Sequence, residues 1–206
     1  MVSDFTVPAT AHGRCPPTQA LCVYAASSNA VAPEFFAAAT SLGRLIGERR
    51  LTLVYGGGKV GLMGAVARAV HAHGGRVVAV IPHYLKTKEL LYETADEIVV
   101  TDGLRDRKAI MEERAGGFVA LPGGFGTLEE TLEVITLKQL RRHAKPVVLL
   151  NTAEFFRPLL ALFDQLFLQR FARPESARLY HVATDPAAAL TYLETYQAEA
   201  LPGKWL

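Results

Sequence analysis

Short apolar runs alternate with longer stretches of helical period along most of the chain. Residues 20–26 (ALCVYAA), 51–55 (LTLVY), 76–81 (RVVAVI), 97–100, 118–121, 146–150 and 179–183 read as strands. Between them, residues 33–50, 62–72, 102–114, 127–142, 155–169 and 186–196 read as helices. Pro33 suits a first helical position and Asp102 suits an N-cap. Residues 82–96 form a polar loop. Strands that alternate with helices imply βαβ units, so the expected fold is α/β: a doubly wound, mainly parallel sheet of about seven strands with helices on both faces. Residues 19–206 read as one nucleotide-binding domain and residues 1–18, with three prolines, as a loosely ordered tail.

Composition changes this picture little. Half of the 206 residues are hydrophobic and a fifth are charged, with a formal net charge of +2. The basic residues are scattered, which argues against a nucleic-acid partner. The densest group, Arg141, Arg142, His143 and Lys145, falls where a helix ends and complements its dipole. No apolar run is long enough to span a membrane, and residues 1–18 do not read as a signal peptide. Two cysteines, Cys15 and Cys22, make neither a disulfide framework nor a zinc site. A cytoplasmic protein without a required metal or cofactor is the expectation.

Ligands on doubly wound sheets sit beyond the carboxyl ends of the strands. Two glycine-rich loops leave strands there, and Ser27 leaves the first strand at the same edge. Gly56, Gly58 and Gly61 satisfy G-x-G-x-x-G, yet no acid follows the next strand to hold a ribose. The loop is either a tight turn or, through Gly57 and Gly58 with Ser27, a wall of a nucleotide site. The second loop runs from Pro122 to Glu130. Gly123, Gly124 and Gly126 let backbone approach a ligand, Thr127 opens a helix, and free amides with the helix dipole make an anion site. The same letters, Thr127 to Glu130, also spell a capping box in which Glu130 satisfies the helix start. Arg107 and Lys108 lie in the first turns of the preceding helix, where the dipole disfavours cations. They either pair with Asp102, Asp106, Glu112 or Glu113, or face the same ligand as the second loop.

Val54-Tyr-Gly-Gly-Gly58, Gly61-Leu-Met-Gly64, Arg107-Lys108 with Met111, and Pro-Gly-Gly-x-Gly-Thr-x-x-Glu over 122–130 occur in this order. Together they resemble the LOG ("lonely guy") family, the cytokinin riboside 5′-monophosphate phosphoribohydrolases, whose members were often labelled lysine decarboxylases. The resemblance runs from about Leu21 to about Phe171. It implies a Rossmann-like fold, a homodimer or multiple of dimers, and hydrolysis of AMP or N6-prenylated AMP to free base and ribose 5-phosphate. It places the catalytic pair on Arg107 and Glu130. It places substrate contacts on Glu89, Lys108, Gly124, Phe125, Gly126, Thr127, Leu128, Glu129 and Thr136.

Breaking a purine N-glycosidic bond builds positive charge on the ribose and negative charge on the base. A carboxylate such as Glu130 can stabilise the cation or activate water. A fixed cation such as Arg107 can meet the developing negative charge or orient a phosphate. Glu89 is either a ribose or base contact or a solvated loop carboxylate. Three rivals compete: a nucleotide carrier without turnover, a pyridoxal-dependent lysine decarboxylase, and a NAD-dependent oxidoreductase. The lysines at 59, 86, 88, 108, 138 and 145 offer the second no distinctive context.

Overall fold

The computed structural model describes residues 19–199. The tail expected over residues 1–18 lies outside them. Among these residues seven strands form one sheet in the order β4-β3-β2-β1-β5-β6-β7, and every strand pairing is parallel. They are β1 (Ala20–Tyr24), β2 (Thr52–Tyr55), β3 (Arg76–Pro82), β4 (Glu97–Thr101), β5 (Gly117–Ala120), β6 (Val147–Leu150) and β7 (His181–Ala183). The helices are α1 (Pro33–Glu48), α2 (Gly61–Ala72), α3 (Leu104–Arg114), α4 (Phe125–Gln139), α5 (Arg157–Leu168) and α6 (Pro186–Thr195).

The central strands read as unbroken apolar runs because both faces are covered. Along β1, Leu21 and Val23 enter the core shared with α1, α2 and α6. Cys22 and Tyr24 enter the opposite core, with Met111 of α3 and Val134 of α4. Leu128 of α4 and Leu159 of α5 join a third cluster around Phe156 on that side. Leu21, Leu42, Ile46 and Leu53 are fully buried, and truncating such a side chain to Ala costs about 2–5 kcal/mol.

Strand order reverses between β1 and β5, so the crevice that receives ligands opens between the loops that follow them. The amide of Ala26 donates to the carbonyl of Pro122 at 3.3 Å and ties these loops together.

Pro33 does begin α1. Two helix starts differ from expectation. Asp102 does not cap α3; the N-cap is Gly103, with no side-chain cap. α4 begins at Phe125 rather than Thr127, with Gly124 as N-cap and again no side-chain cap. The Thr127–Glu130 capping box therefore does not form: Thr127 is already the third helical residue and Glu130 lies in the second turn.

Candidate active site

The first turn of α4 faces the crevice with its amides uncapped. The first helical bond into Gly124 comes from Leu128, at 3.0 Å, so Phe125, Gly126 and Thr127 present N–H groups that the helix does not use. Thr127 is buried and folds back onto Gly123, where a Cβ would stand 2.1 Å from its hydroxyl oxygen. That close approach accounts for the glycine. Phe125 is 93 % exposed at the tip of the loop. Uncapped amides at the positive end of a helix suit a phosphate.

Two cations arrive from α3, and their partners are none of the acids on their own helix. Arg107 spans the carboxyl ends of the strands: its Nε donates to the carbonyl of Val80 at 3.1 Å, and its Nη2 meets Glu130 Oε1 at 3.0 Å. Both side chains are largely buried, at 13 % and 10 % exposure. Lys108 lies between Glu129 and Glu133, with its Nζ 2.9 Å from the latter. Those two acids are four apart on α4 and share a face, so one ammonium serves both.

Burial raises the Glu130 carboxyl above its ordinary value. Arg107 and Lys108 oppose the rise and Glu129 and Glu133 add to it, but burial prevails. For Lys108, burial lowers its ammonium's pKa, yet bonds from Glu129 and Glu133 outweigh it and hold it above its usual value. The result is a partly desolvated carboxylate beside a fixed guanidinium, about one and a half turns from the uncapped start of α4.

The first glycine loop does different work. Gly61 donates its amide to Asn29 Oδ1 at 2.8 Å, and the Met63 amide donates to the Ala26 carbonyl at 3.2 Å. These bonds occupy the start of α2, which is therefore not an open anion cradle like that of α4. Gly61, at φ 60°, lets the loop lie on the backbone of exposed Ser27. Gly57 and Gly58 are buried against β3 and Met63 respectively. They also carry the segment that holds Glu89. Gly58 bridges Leu91, the Tyr92 amide donates to the Gly57 carbonyl at 2.9 Å, and the Lys59 amide donates to the Leu90 carbonyl at 2.7 Å. Glu89 itself is exposed, and its own backbone amide and the Thr87 hydroxyl hold its carboxylate below the usual range.

The structure thus joins Arg107 with Glu130, and Lys108 with Glu129, beside the loop 123–127. It does not bring Thr136 to this cluster. That residue lies about three turns beyond Phe125 on an exposed face, its hydroxyl bonded to the Leu132 carbonyl at 2.7 Å. Glu133 escaped the sequence reading, although its spacing of four from Glu129 on a helix is a visible signal. The lysines are not alike either. Lys138 is 5 % exposed, its Nζ has no hydrogen-bond partner and lies 4.8 Å from the Tyr196 ring centroid. It stands about 20 Å along α4 from the loop, too far to act there. Among the described residues no group of His, Cys, Asp and Glu is placed to hold a metal ion, and no helix is long and apolar enough to cross a membrane.

Comparison with known proteins bears on this arrangement. A family described as "Possible lysine decarboxylase" matches residues 63–193. The cytokinin riboside 5′-monophosphate phosphoribohydrolase LOG7 of Arabidopsis thaliana is 45% identical over 180 residues, covering 87% of this chain and 82% of the relative. The corresponding LOG enzyme of Oryza sativa subsp. japonica is 42% identical over 179 residues, covering 87% and 74%. Among solved structures, the molybdenum cofactor carrier protein of Chlamydomonas reinhardtii superposes with a TM-score of 0.64 at 26% identity, covering 84% of this chain and 93% of that one.

Proposed function

Because the chain belongs to the LOG family, we propose that it hydrolyses the N-glycosidic bond of a nucleoside 5′-monophosphate, AMP or its N6-prenylated form, to free base and ribose 5-phosphate. The observation that carries this reading is the buried Arg107–Glu130 pair beside the uncapped start of α4. Binding a nucleotide needs the amides but not a desolvated carboxylate next to them.

The amides of Phe125, Gly126 and Thr127 receive the 5′-phosphate, which fixes the ribose relative to Glu130. The bond from the anomeric carbon to the base nitrogen breaks, and its electron pair leaves with the base. A water oxygen bonds to the anomeric carbon and Glu130 takes one of the water's protons; the base nitrogen that received the electron pair takes up a proton from solvent, and Glu130 returns its own to solvent. The raised affinity of Glu130 for a proton suits it to this role. Arg107 holds the carboxylate in place through Nη2 and adds positive charge where the departing base becomes negative. Lys108, Gly123, Gly124, Leu128 and Glu129 border the same crevice, and Glu89, Ser27, Gly57 and Gly58 are further proposed substrate contacts. We also read the protein as a cytoplasmic homodimer. Exposed Leu104, Leu132 and Leu140 on α3 and α4 support the dimer, and a monomer mass by light scattering would remove it.

The likeness to a cofactor carrier supports a second reading, a nucleotide binder without turnover. Incubation with AMP and with N6-isopentenyl-AMP separates the two. Stoichiometric free base and ribose 5-phosphate are expected. Tight binding with no base released over hours favours the carrier.

A further inference from the structure

Gly56 follows β2 and lies under the path that Arg107 takes from α3 to Glu130. A Cβ built on it would stand 2.0 Å from Arg107 Nη2 and 3.1 Å from Cζ, whereas its next neighbour, Met63 Sδ, is 3.4 Å away. Nη2 is the atom that reaches Glu130. Non-bonded heavy atoms settle about 3.5–4.0 Å apart. An alanine here therefore requires Nη2 to move by more than about 1 Å. The guanidinium cannot give way by sliding along its own plane without loss, because its Nε is bonded to the Val80 carbonyl on the other side. The backbone at Gly56 is not left-handed, so a side chain is refused by Arg107 and not by local strain.

We propose that Gly56 is a positioning residue for the reaction: its missing side chain is the slot through which the Arg107 guanidinium reaches Glu130. This rests on the reading of Arg107 and Glu130 given above. It assigns the first glycine loop a use distinct from phosphate binding, which the amides of α4 serve. Filling the slot displaces the cation but leaves those amides in place, so turnover suffers more than substrate binding.

The test is a cycle of four proteins: wild type, Gly56→Ala, Arg107→Ala and the double variant. Base release from AMP is followed against pH, and Tm is measured for each. A misplacement of about 1 Å is expected to lower kcat by about 10–100-fold. KM is expected to change by no more than about twofold. The acid limb of the kcat profile moves to higher pH, because Glu130 loses its cation; loss of folded protein alone lowers the amplitude without moving the limb. In the Arg107→Ala background, where the obstructed atoms are gone, Gly56→Ala changes neither Tm nor the residual rate. Should Gly56→Ala fail to fold while the double variant folds, the slot is supported. A double variant that also fails overturns it, as do equal losses in both backgrounds. Wild-type kcat in Gly56→Ala beside an inactive Arg107→Ala overturns the slot alone. Wild-type kcat in Arg107→Ala overturns the reading of Arg107 itself, and the slot with it.

Discussion

Glu130→Gln separates a catalytic carboxylate from a structural one, because the two readings demand opposite signs. The charge centres of Arg107 and Glu130 lie about 4 Å apart, which at an effective dielectric of about 20 is worth about 4 kcal/mol of attraction. Even so, the Glu130 carboxyl is raised above its ordinary value, so burial, helped by Glu129 and Glu133, outweighs that attraction. Ionised Glu130 is thus a burden on the folded state. Glutamine has nearly the same volume, carries no charge, and its amide oxygen still accepts from Nη2. A folded value above the unfolded one means that wild-type stability is greatest below the ordinary carboxylate value of 4.5 and falls as pH rises through the folded value. The Gln variant has no such loss. At neutral pH it is expected to melt no lower than wild type, and its relative advantage shrinks as pH is lowered towards the ordinary carboxylate range. Its kcat is expected to fall by about 10²–10⁴ with the loss of a general base. Thermal melts across this pH range, with chromatographic assay of adenine release, give both quantities. Lower stability at neutral pH with activity within about tenfold of wild type would falsify the catalytic assignment and make Glu130 a strut.

Lys108→Met leaves Glu129 and Glu133 unneutralised beside Glu130, so the acid limb of the kcat profile is expected to move to higher pH; an unmoved limb refutes the coupling. Lys138→Met is expected to raise stability without changing kcat. Burial lowers the Lys138 ammonium from 10.5 to about 8. That drop corresponds to about 3 kcal/mol. The Tyr196 ring returns about 1–2 kcal/mol of it. The remainder predicts a Tm higher by about 2–8 °C at neutral pH. Because the folded value is the lower one, wild-type stability recovers as pH rises from about 8 towards 10.5 and the advantage of Met closes. A lower Tm for the Met variant at neutral pH refutes the burial argument.

How much of this was legible in the sequence depends on whether the signal is local. The seven strands were, since a parallel strand covered on both faces must be apolar at every position, as in residues 77–81. The Arg107–Glu130 pair was visible only as two candidates. Its assembly requires α3 to lie across β3 and β2, which follows from sheet order and not from spacing along the chain. The acids expected to offset Arg107 and Lys108 lie on α3 or just before it, but the partners come from α4. The G-x-G-x-x-G letters leave a tight turn and a wall of a nucleotide site both open, whereas in the structure Asn29 and Ala26 consume two amides of α2.

The start of α4 is the sharpest case. Thr127-Leu-Glu-Glu130 has the letters of a capping box, and a chain selected only for stability would use them so, because a good cap is worth about 1 kcal/mol. Here the helix begins two residues earlier, with its amides bare, Thr127 turned onto Gly123, and Glu130 buried against Arg107. Each departure costs the empty protein stability: an uncapped helix end in one place and a desolvated carboxylate in the other. Local rules fail where function competes with them, and both failures fall within the same six residues. A bound phosphate would satisfy the amides, and the proposed hydrolysis would use the carboxylate. The proposed function gives the two departures one physical account, because that turn of α4 would then meet a phosphorylated sugar.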